Sequence, residues 1–246
     1  MFFLKGRARS LFSEPRLRRA SALLAIMLLA AWLRLSYLDL IEFKQDEVAH
    51  LQLAQSVLDG HLALTGSTAS VGLPKPPGMV YLLTIPLLVS PDPRVASFFV
   101  ALLNVGAVYV CYRIGRRYFG VGVGLIAALL YAANPWAVVY ARKVFTADVL
   151  PPFVALTLDA LLAALVEGRQ RAWIWAFVWM TVLLQITFST IALIPAFALI
   201  VLLYRRRVHW PAFLMGMMVM TIAFLPYLYA GLSQGFLRFW EGRLLG

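Results

Sequence analysis

The sequence predicts an all-α polytopic membrane protein with about seven transmembrane helices and an amphipathic juxtamembrane helix in the first outer loop. Hydrophobic residues make up 62% of the 246 residues and charged residues only 13%, and the mean hydropathy is +0.82. Soluble domains average about 50% apolar and about 25% charged residues. This composition excludes a soluble globular domain and a disordered chain. The single cysteine, Cys111, lies in an apolar run and excludes a disulfide scaffold.

The apolar runs predict the individual helices. The first, from about Ala20 to Leu40, is long enough to span a bilayer core, which needs about 20 residues. No small-x-small cleavage site follows it, so we predict an uncleaved helix. The segment 78–90 is shorter and contains Pro86, which favours an interfacial or half-inserted segment. The remaining predicted spans are 95–112, 121–140, 148–166, 172–188, 190–204 and 210–232.

The distribution of charge predicts the orientation. With seven spans, the cytoplasmic segments are 1–19, 113–120, 167–171 and 205–209. They hold fourteen basic residues against two acids, whereas the rest of the chain holds eight basic residues and nine acids. This is the pattern of the positive-inside rule, and it would be broken if 78–90 crossed the membrane. The net charge of +11 does not indicate nucleic-acid binding, because the basic residues are dispersed over short loops.

We therefore predict one transmembrane module over residues 1–246. Its N-terminal segment 1–19 is cytoplasmic, its first outer loop spans 41–94, and its tail 233–246 lies at the outer interface. The predicted location is the cell (inner) membrane, with the functional face on the periplasmic or extracellular side.

Unusual polar residues gather on the predicted outer face. Carboxylates and cations that meet at one membrane face can bind an anionic headgroup and move a proton. Simpler roles stay open: Asp46 can cap the following helix, Glu47 can favour its N-terminus, and the cations can hold lipid headgroups. The outer-face residues are Asp46, Glu47, Lys75, Arg94, Arg142, Lys143 and Asp148.

A helix is predicted directly after Asp46. Its apolar positions have helical spacing, and Gly60 can end it. His50 and His61 are interpreted as interfacial polar residues, since no second ligand stands at zinc spacing. Asp159 lies inside a predicted span, where an acid marks either function or a hydrogen bond to another helix. The apolar positions of the predicted helix are Val48, Leu51, Ala54, Val57 and Leu58.

The order of these elements resembles the membrane glycosyltransferases of the GT-C class, in the branch with protein O-mannosyltransferases and lipid A aminoarabinose transferases. The similarity is clear over about residues 30–165 and is only hydropathic beyond. It covers the N-terminal seven-helix module of that class. The similarity rests on Arg34, Asp46-Glu47, Lys75-Pro76-Pro77, Tyr81, Arg94, the sequence YRIGRRYFG at 112–120, Asn134-Pro135, Tyr140-Ala141-Arg142 and Asp148.

The resemblance implies transfer of a sugar from a polyprenyl-phosphate donor to an acceptor hydroxyl, with inversion, on the outer face. Asp46 would be the general base, with Glu47 beside it. Lys75 and Arg142 would clamp the donor phosphate, with Arg94 as a weaker candidate.

Three residues are expected to position the substrates: Asp148, Tyr81 and His50, which stands near a place where family members often carry a tyrosine. The resemblance implies no catalytic metal and no cofactor. The expected partners are the lipid-linked donor, membrane lipids, an acceptor hydroxyl on a glycan, lipid or protein, and a partner membrane subunit.

Two alternatives stay open. The chain can be a non-catalytic GT-C-like subunit that scaffolds a larger complex or binds lipid headgroups. A lipid-carrier transporter would need polar residues at several mid-membrane positions, and the sequence offers little beyond Asn104, Asp159 and Gln185.

Overall fold

The computed structural model describes residues 14–36, 38, 44–69 and 72–233, and regular structure in these residues is helical. The predictions for residues 1–13, for the start of the first outer loop and for the tail 234–246 lie outside this part of the chain. The α-helices are α1 Glu14–Leu35, α2 Gln45–Leu58, α3 Gly78–Leu87, α4 Pro93–Phe119, α5 Val121–Ala133, α6 Pro135–Tyr140, α7 Leu150–Leu165, α8 Ala172–Ile186, α9 Leu193–Leu203 and α10 Trp210–Ser233.

Most apolar runs became helices within a few residues of their predicted limits. The first helix lies further toward the N-terminus than the predicted 20–40. The predicted span 121–140 is divided, because Asn134 caps α6 by accepting a hydrogen bond from the N–H of Ala137 at 3.1 Å. Of the described helices, α4 and α10 are long and apolar enough to cross a bilayer. Seven crossings therefore remain a prediction.

Helices α4 and α5 form a close hairpin, and α1 packs against both. A Cβ added at Gly115 would lie 2.7 Å from the Cα of Gly124, so the two backbones touch where only glycine fits. The Arg34 side chain, near the end of α1, is fully buried and donates hydrogen bonds to the carbonyls of Tyr131 and Ala132, each at 2.9 Å. The C-terminal ends of α1 and α5 therefore lie together.

Helix α3 is short, as the sequence predicts, and it buries one face while Tyr81 and Ile85 on the other face are 39% and 50% exposed. Met79, Val80 and Leu83 are almost fully buried, and α3 packs against α2, α4 and α8. Gly78 permits this, since a Cβ there would lie 2.7 Å from backbone atoms of Gln185 at the end of α8. This part of the predicted first outer loop therefore contributes to the core of the protein.

The basic loops lie together at the end of the helices opposite to the C-terminal ends of α1 and α5. Arg117, near the end of α4, forms an ion pair with Glu167 in the loop after α7. Arg207, after α9, donates a hydrogen bond to the carbonyl of Leu165 at 3.2 Å. Three of the segments that the charge pattern assigned to one membrane face therefore lie at one end of the structure.

Candidate functional site

The first turn of α2 separates two neighbouring carboxylates. The N-cap is Lys44, whose backbone N–H donates to the Glu47 carboxylate at 3.3 Å, so Asp46 is not the cap. Asp46 is exposed, whereas Glu47 and His50 are 2% and 1% exposed. The buried stripe is 47, 50, 51 and 54. Of the predicted apolar positions, Leu51 and Ala54 lie on this stripe and Val48 does not, being 40% exposed.

His50 connects α2 electrostatically to Lys75. Neither ring nitrogen of His50 has a hydrogen-bond partner among the described residues. Burial and the nearby Lys75 ammonium lower the pKa of His50 to about 4, against the opposing effect of Asp46. The imidazole is therefore neutral at physiological pH. Both Asp46 and Lys75 lie close enough to influence it.

The turn that carries Lys75 is held from two sides. Its N–H donates to the carbonyl of Ser67 at 3.0 Å, and its carbonyl accepts from the N–H of Gly66 at 2.7 Å. From α10, the Tyr227 hydroxyl donates to the carbonyl of Pro74 at 2.8 Å. The Lys75 ammonium lies 6.0 Å from the centre of the Phe145 ring. The backbone of the Lys75 turn is therefore held by hydrogen bonds within the protein.

Asp148 lies just before α7 and is mostly buried. Its backbone carbonyl accepts a hydrogen bond from the Asn104 amide of α4 at 3.0 Å. Burial raises the pKa of Asp148 to about 7, Lys143 opposes that rise, and the Glu47 carboxylate adds to it. The Asp148 carboxyl therefore keeps its proton to a higher pH than an ordinary aspartic acid does.

Arg142 is directed toward the end of α1. One Nη donates to the carbonyl of Leu33, and Nε is buried without a hydrogen-bond partner among the described residues. Among the described residues, one Nη of the Arg142 guanidinium thus has a hydrogen-bond acceptor and Nε has none. Its neighbours in sequence, Lys143 and Phe145, face Asp148 and Lys75 respectively.

Three predicted site residues, Arg142, Tyr81 and Arg94, are not joined to the predicted site residues around α2 by the contacts of the described residues. The Tyr81 hydroxyl donates to the carbonyl of Ala63 at 2.9 Å, which fastens α3 to the loop before it. Arg94 is exposed in the first turn of α4, and its backbone N–H donates to the Asp92 carboxylate at 2.9 Å. Their predicted roles remain untested.

Asp159, the acid inside the predicted span 148–166, lies elsewhere. It forms an ion pair with Arg113 at 2.6 Å at the basic end of the helices.

Asn104 is a structural residue of the site that sequence reasoning did not select. The sequence feature that could have indicated it is a lone amide side chain in the apolar stretch of α4. The Asn104 amide donates to the carbonyl of Asp148, and its oxygen accepts from the hydroxyl of Tyr131 at 3.3 Å.

The resulting site, which we call the α2 site, comprises Asp46, Glu47, His50, Lys75 and Asp148. It combines an exposed carboxylate, an ammonium group and a carboxyl group whose pKa is near neutrality. Such groups can accept a proton and stabilise an anion. No three His, Cys, Asp or Glu side chains within the described ranges converge as metal ligands would.

Comparison with known proteins gives two matches. Residues 74–229 match the family model of dolichyl-phosphate-mannose-protein mannosyltransferases, which is of the GT-C type. This match extends beyond residue 165, where we expected only hydropathic similarity. A Bacillus subtilis (strain 168) protein named "Putative mannosyltransferase YycA" is 29% identical over 203 residues.

The second alignment covers 77% of this chain and 28% of the relative, so the chain spans less than a third of that protein's length. The family match covers well over half of the chain and includes Lys75, Arg142 and Asp148. The apolar helices of the chain accord with an integral membrane protein. The chain belongs to the dolichyl-phosphate-mannose-protein mannosyltransferase family of GT-C membrane glycosyltransferases.

Proposed function

We propose that the chain transfers a sugar from a polyprenyl-phosphate donor to an acceptor hydroxyl at the membrane surface. The observation that carries this proposal is the convergence of α2, the Lys75 turn and the segment before α7. The charges of Lys75 and Asp46 both shift the pKa of His50, and the charge of Glu47 shifts the pKa of Asp148, which lies 101 positions further along the sequence. A donor phosphate and an acceptor hydroxyl require such an arrangement of cation and base.

Asp46 is the proposed general base. As the acceptor oxygen attacks the anomeric carbon, its proton passes to the Asp46 carboxylate and the bond from the anomeric carbon to the phosphate oxygen breaks. Attack opposite to the leaving group inverts the configuration. Exposure suits Asp46 for this role, because an acceptor must reach it. Glu47 is buried beside it and holds the first turn of α2 in place.

Lys75 and Arg142 are the proposed phosphate ligands. The leaving group is a phosphate monoester that carries away the bonding electrons, so it needs cationic stabilisation rather than a strong acid. Lys75 offers a point charge on a fixed turn. Arg142 offers guanidinium hydrogen atoms beyond the one that Leu33 receives. Asp148, which holds its proton for part of the time, can donate a hydrogen bond to either substrate.

The proposed orientation places the α2 site outside and the basic loops in the cytoplasm. The α2 site and the loops after α4, α7 and α9 are at opposite ends of the helices, and the positive-inside rule assigns the basic end to the cytoplasm. In a bacterial cell this corresponds to the inner membrane. Donor lipid and acceptor would then meet on the periplasmic or extracellular side.

Donor binding tests the proposal. Native mass spectrometry of the detergent-extracted protein, incubated with a synthetic polyprenyl-phosphate mannose, is expected to show one bound lipid. Lys75→Gln removes the charge and is expected to lower occupancy about tenfold. Arg206→Gln, an exposed cation at the opposite end, is the matched control and should retain the lipid. Equal occupancy in all three proteins would overturn the phosphate assignment of Lys75.

A further inference from the structure

A large cavity lies at the basic end of the helices, away from the α2 site. Its volume is about 1140 Å³, and it is bounded by the end of α4, by α7 and by the start of α8. Asn104 contacts Asp148 in the α2 site, and Arg117 lies thirteen residues further along α4. At 1.5 Å per helical residue, that is about 20 Å. The cavity is therefore a separate feature, and no step of the proposed transfer uses it.

Five arginines line the cavity, and only part of their charge is neutralised by protein. Arg113 pairs with Asp159 at 2.6 Å, and Arg117 lies 3.6 Å from the same carboxylate. Arg117 and Arg169 also pair with Glu167. Among the described residues, these two acids are the only carboxylate partners of the five, so the cavity retains a charge of about +3.

The two remaining arginines, Arg116 and Arg171, have no carboxylate partner in the described part of the chain. Arg116 lies over the Tyr112 ring at 6.0 Å, and both arginine side chains are exposed to the opening of the cavity. In addition, the Nε of Arg113 is buried and has no hydrogen-bond partner among the described residues. The cavity is thus lined by two guanidinium groups that no carboxylate in the described part of the chain neutralises.

The inner wall of the same cavity is apolar. Trp175 and Trp179 stack with their ring centres 6.0 Å apart, and Leu156, Ala160 and Ala163 of α7 complete the wall. Trp175 is 54% exposed although it belongs to an apolar helix. A cavity with arginines at its mouth and indoles along its wall fits a ligand with an anionic head and a hydrocarbon chain.

We propose that this cavity is a binding site for an anionic phospholipid, with its phosphate on Arg116 and Arg171 and its chain along Trp175 and Trp179. Guanidinium groups bind phosphate oxygens in a bidentate fashion. The net positive charge of the cavity favours a lipid with a net negative charge over a zwitterionic lipid, in which the choline cation offsets the phosphate. Basic pockets between helices at the cytoplasmic side bind anionic headgroups by this chemistry. On the proposed orientation, the ligand comes from the cytoplasmic leaflet.

The test compares lipid retention by the full chain in native mass spectrometry. The probes are dioleoyl phosphatidic acid and dioleoyl phosphatidylcholine, whose chains are identical. We expect one phosphatidic acid to remain bound and phosphatidylcholine to dissociate. The double substitution Arg116→Gln with Arg171→Gln should lower phosphatidic acid occupancy at least tenfold. It breaks no ion pair of the described residues, so its thermal unfolding temperature should match that of the wild type.

Two further variants separate this site from a general surface charge and from a free-phosphate site. Arg205→Gln with Arg206→Gln removes two cations that do not line the cavity, and it should retain the lipid within twofold. Trp175→Ala should weaken phosphatidic acid binding. An excess of inorganic phosphate should not displace the lipid from the wild type.

Three outcomes would overturn the proposal. The first is equal loss of lipid in the two double variants, which indicates a diffuse surface effect. The second is unchanged binding in Arg116→Gln with Arg171→Gln. The third is displacement of the lipid by inorganic phosphate together with no effect of Trp175→Ala, which would assign the cavity to a soluble anion.

Discussion

The Asn104 amide of α4 donates a hydrogen bond to the backbone carbonyl of Asp148 at 3.0 Å and so ties the middle of one helix to the residue that faces Glu47. The same amide donates to its own helix at the carbonyl of Val100 at 3.1 Å, and its oxygen accepts from the hydroxyl of Tyr131. One buried side chain thus fixes where the segment before α7 meets the α2 site.

Asn104→Leu should separate this support from simple packing. The substitution leaves a buried carbonyl without a partner, which costs about 1–3 kcal/mol of unfolding free energy. We also expect weaker donor binding, since Asp148 is no longer held. Thermal unfolding and native mass spectrometry measure both effects. Thr181→Val is the control, because among the described residues that buried hydroxyl bonds only to its own helix at Phe177. Equal behaviour of the two variants would remove the special role of Asn104.

Two buried groups of the α2 site give protein stability opposite dependences on pH. The pKa of His50 is lowered from 6.5 to about 4, so as the pH falls below 6.5 the unfolded chain takes up a proton that the folded chain does not. Stability contributed by His50 is lost in that direction. The pKa of Asp148 is raised from 3.8 to about 7, so its effect is to lower stability as the pH rises between those values.

When one of the two groups is replaced, the pH dependence of the unfolding free energy that the other group causes should become measurable. Between about pH 5 and about pH 6.5, His50→Gln should lose stability as the pH rises, and Asp148→Asn should gain it, each by at most about 1.4 kcal/mol per pH unit. Thermal unfolding in one detergent at several pH values measures these slopes. Parallel curves for both variants and the wild type would contradict the assigned protonation states.

Tyr227→Phe tests how far the Lys75 turn is pre-ordered. The substitution removes only the hydroxyl that donates to Pro74, and we expect a loss of about 1 kcal/mol in stability. Because the turn becomes looser, donor affinity should fall severalfold. The turnover number at saturating donor should change less. Tyr229→Phe, on an exposed residue of the same helix, is the matched control. A fall in turnover without any change in donor affinity would contradict this role.

The α4–α5 hairpin depends on a backbone contact that only glycine permits. Gly115→Ala places a Cβ 2.7 Å from the Cα of Gly124, so we expect destabilisation by about 1–3 kcal/mol as the helices are forced apart. Gly106→Ala, in the same helix with open space around it, should be neutral or stabilising. Equal unfolding temperatures of the two variants would show that the hairpin tolerates separation.

Hydropathy predicted the helices well because burial in lipid or in a bundle imposes the same apolar runs. It marked the first run at 20–40, whereas α1 is Glu14–Leu35, because a helix can continue through the basic residues before the apolar run. The division of 121–140 depends on the local capping of α6 by Asn134 rather than on hydropathy. The burial of α3 depends on its neighbours α2, α4 and α8, which no local pattern reveals.

For the candidate site, charge asymmetry and motif order predicted that Asp46, Lys75 and Asp148 belong to one face, and the structure brings them together through His50 and Glu47. Glu47 and His50 are buried because of the side of α2 on which the helical period places them. Both lie on the stripe with Leu51 and Ala54, and a search for apolar residues alone passed over them. The support from α4 and α10 is non-local and could not be seen in sequence.

The base assignment of Asp46 is the central claim, and sugar transfer by the full chain tests it most directly. The assay follows mannose passing from a labelled polyprenyl-phosphate donor to an acceptor hydroxyl, for the wild type, Asp46→Asn and Asp59→Asn. Asp59 is an exposed acid at the other end of α2 and serves as the control.

We predict that Asp46→Asn binds donor as the wild type does and loses transfer by about 10²–10⁴-fold, while Asp59→Asn retains it. Wild-type turnover in Asp46→Asn would contradict the base assignment. Donor binding without any transfer by the wild type would contradict the proposed activity of the chain.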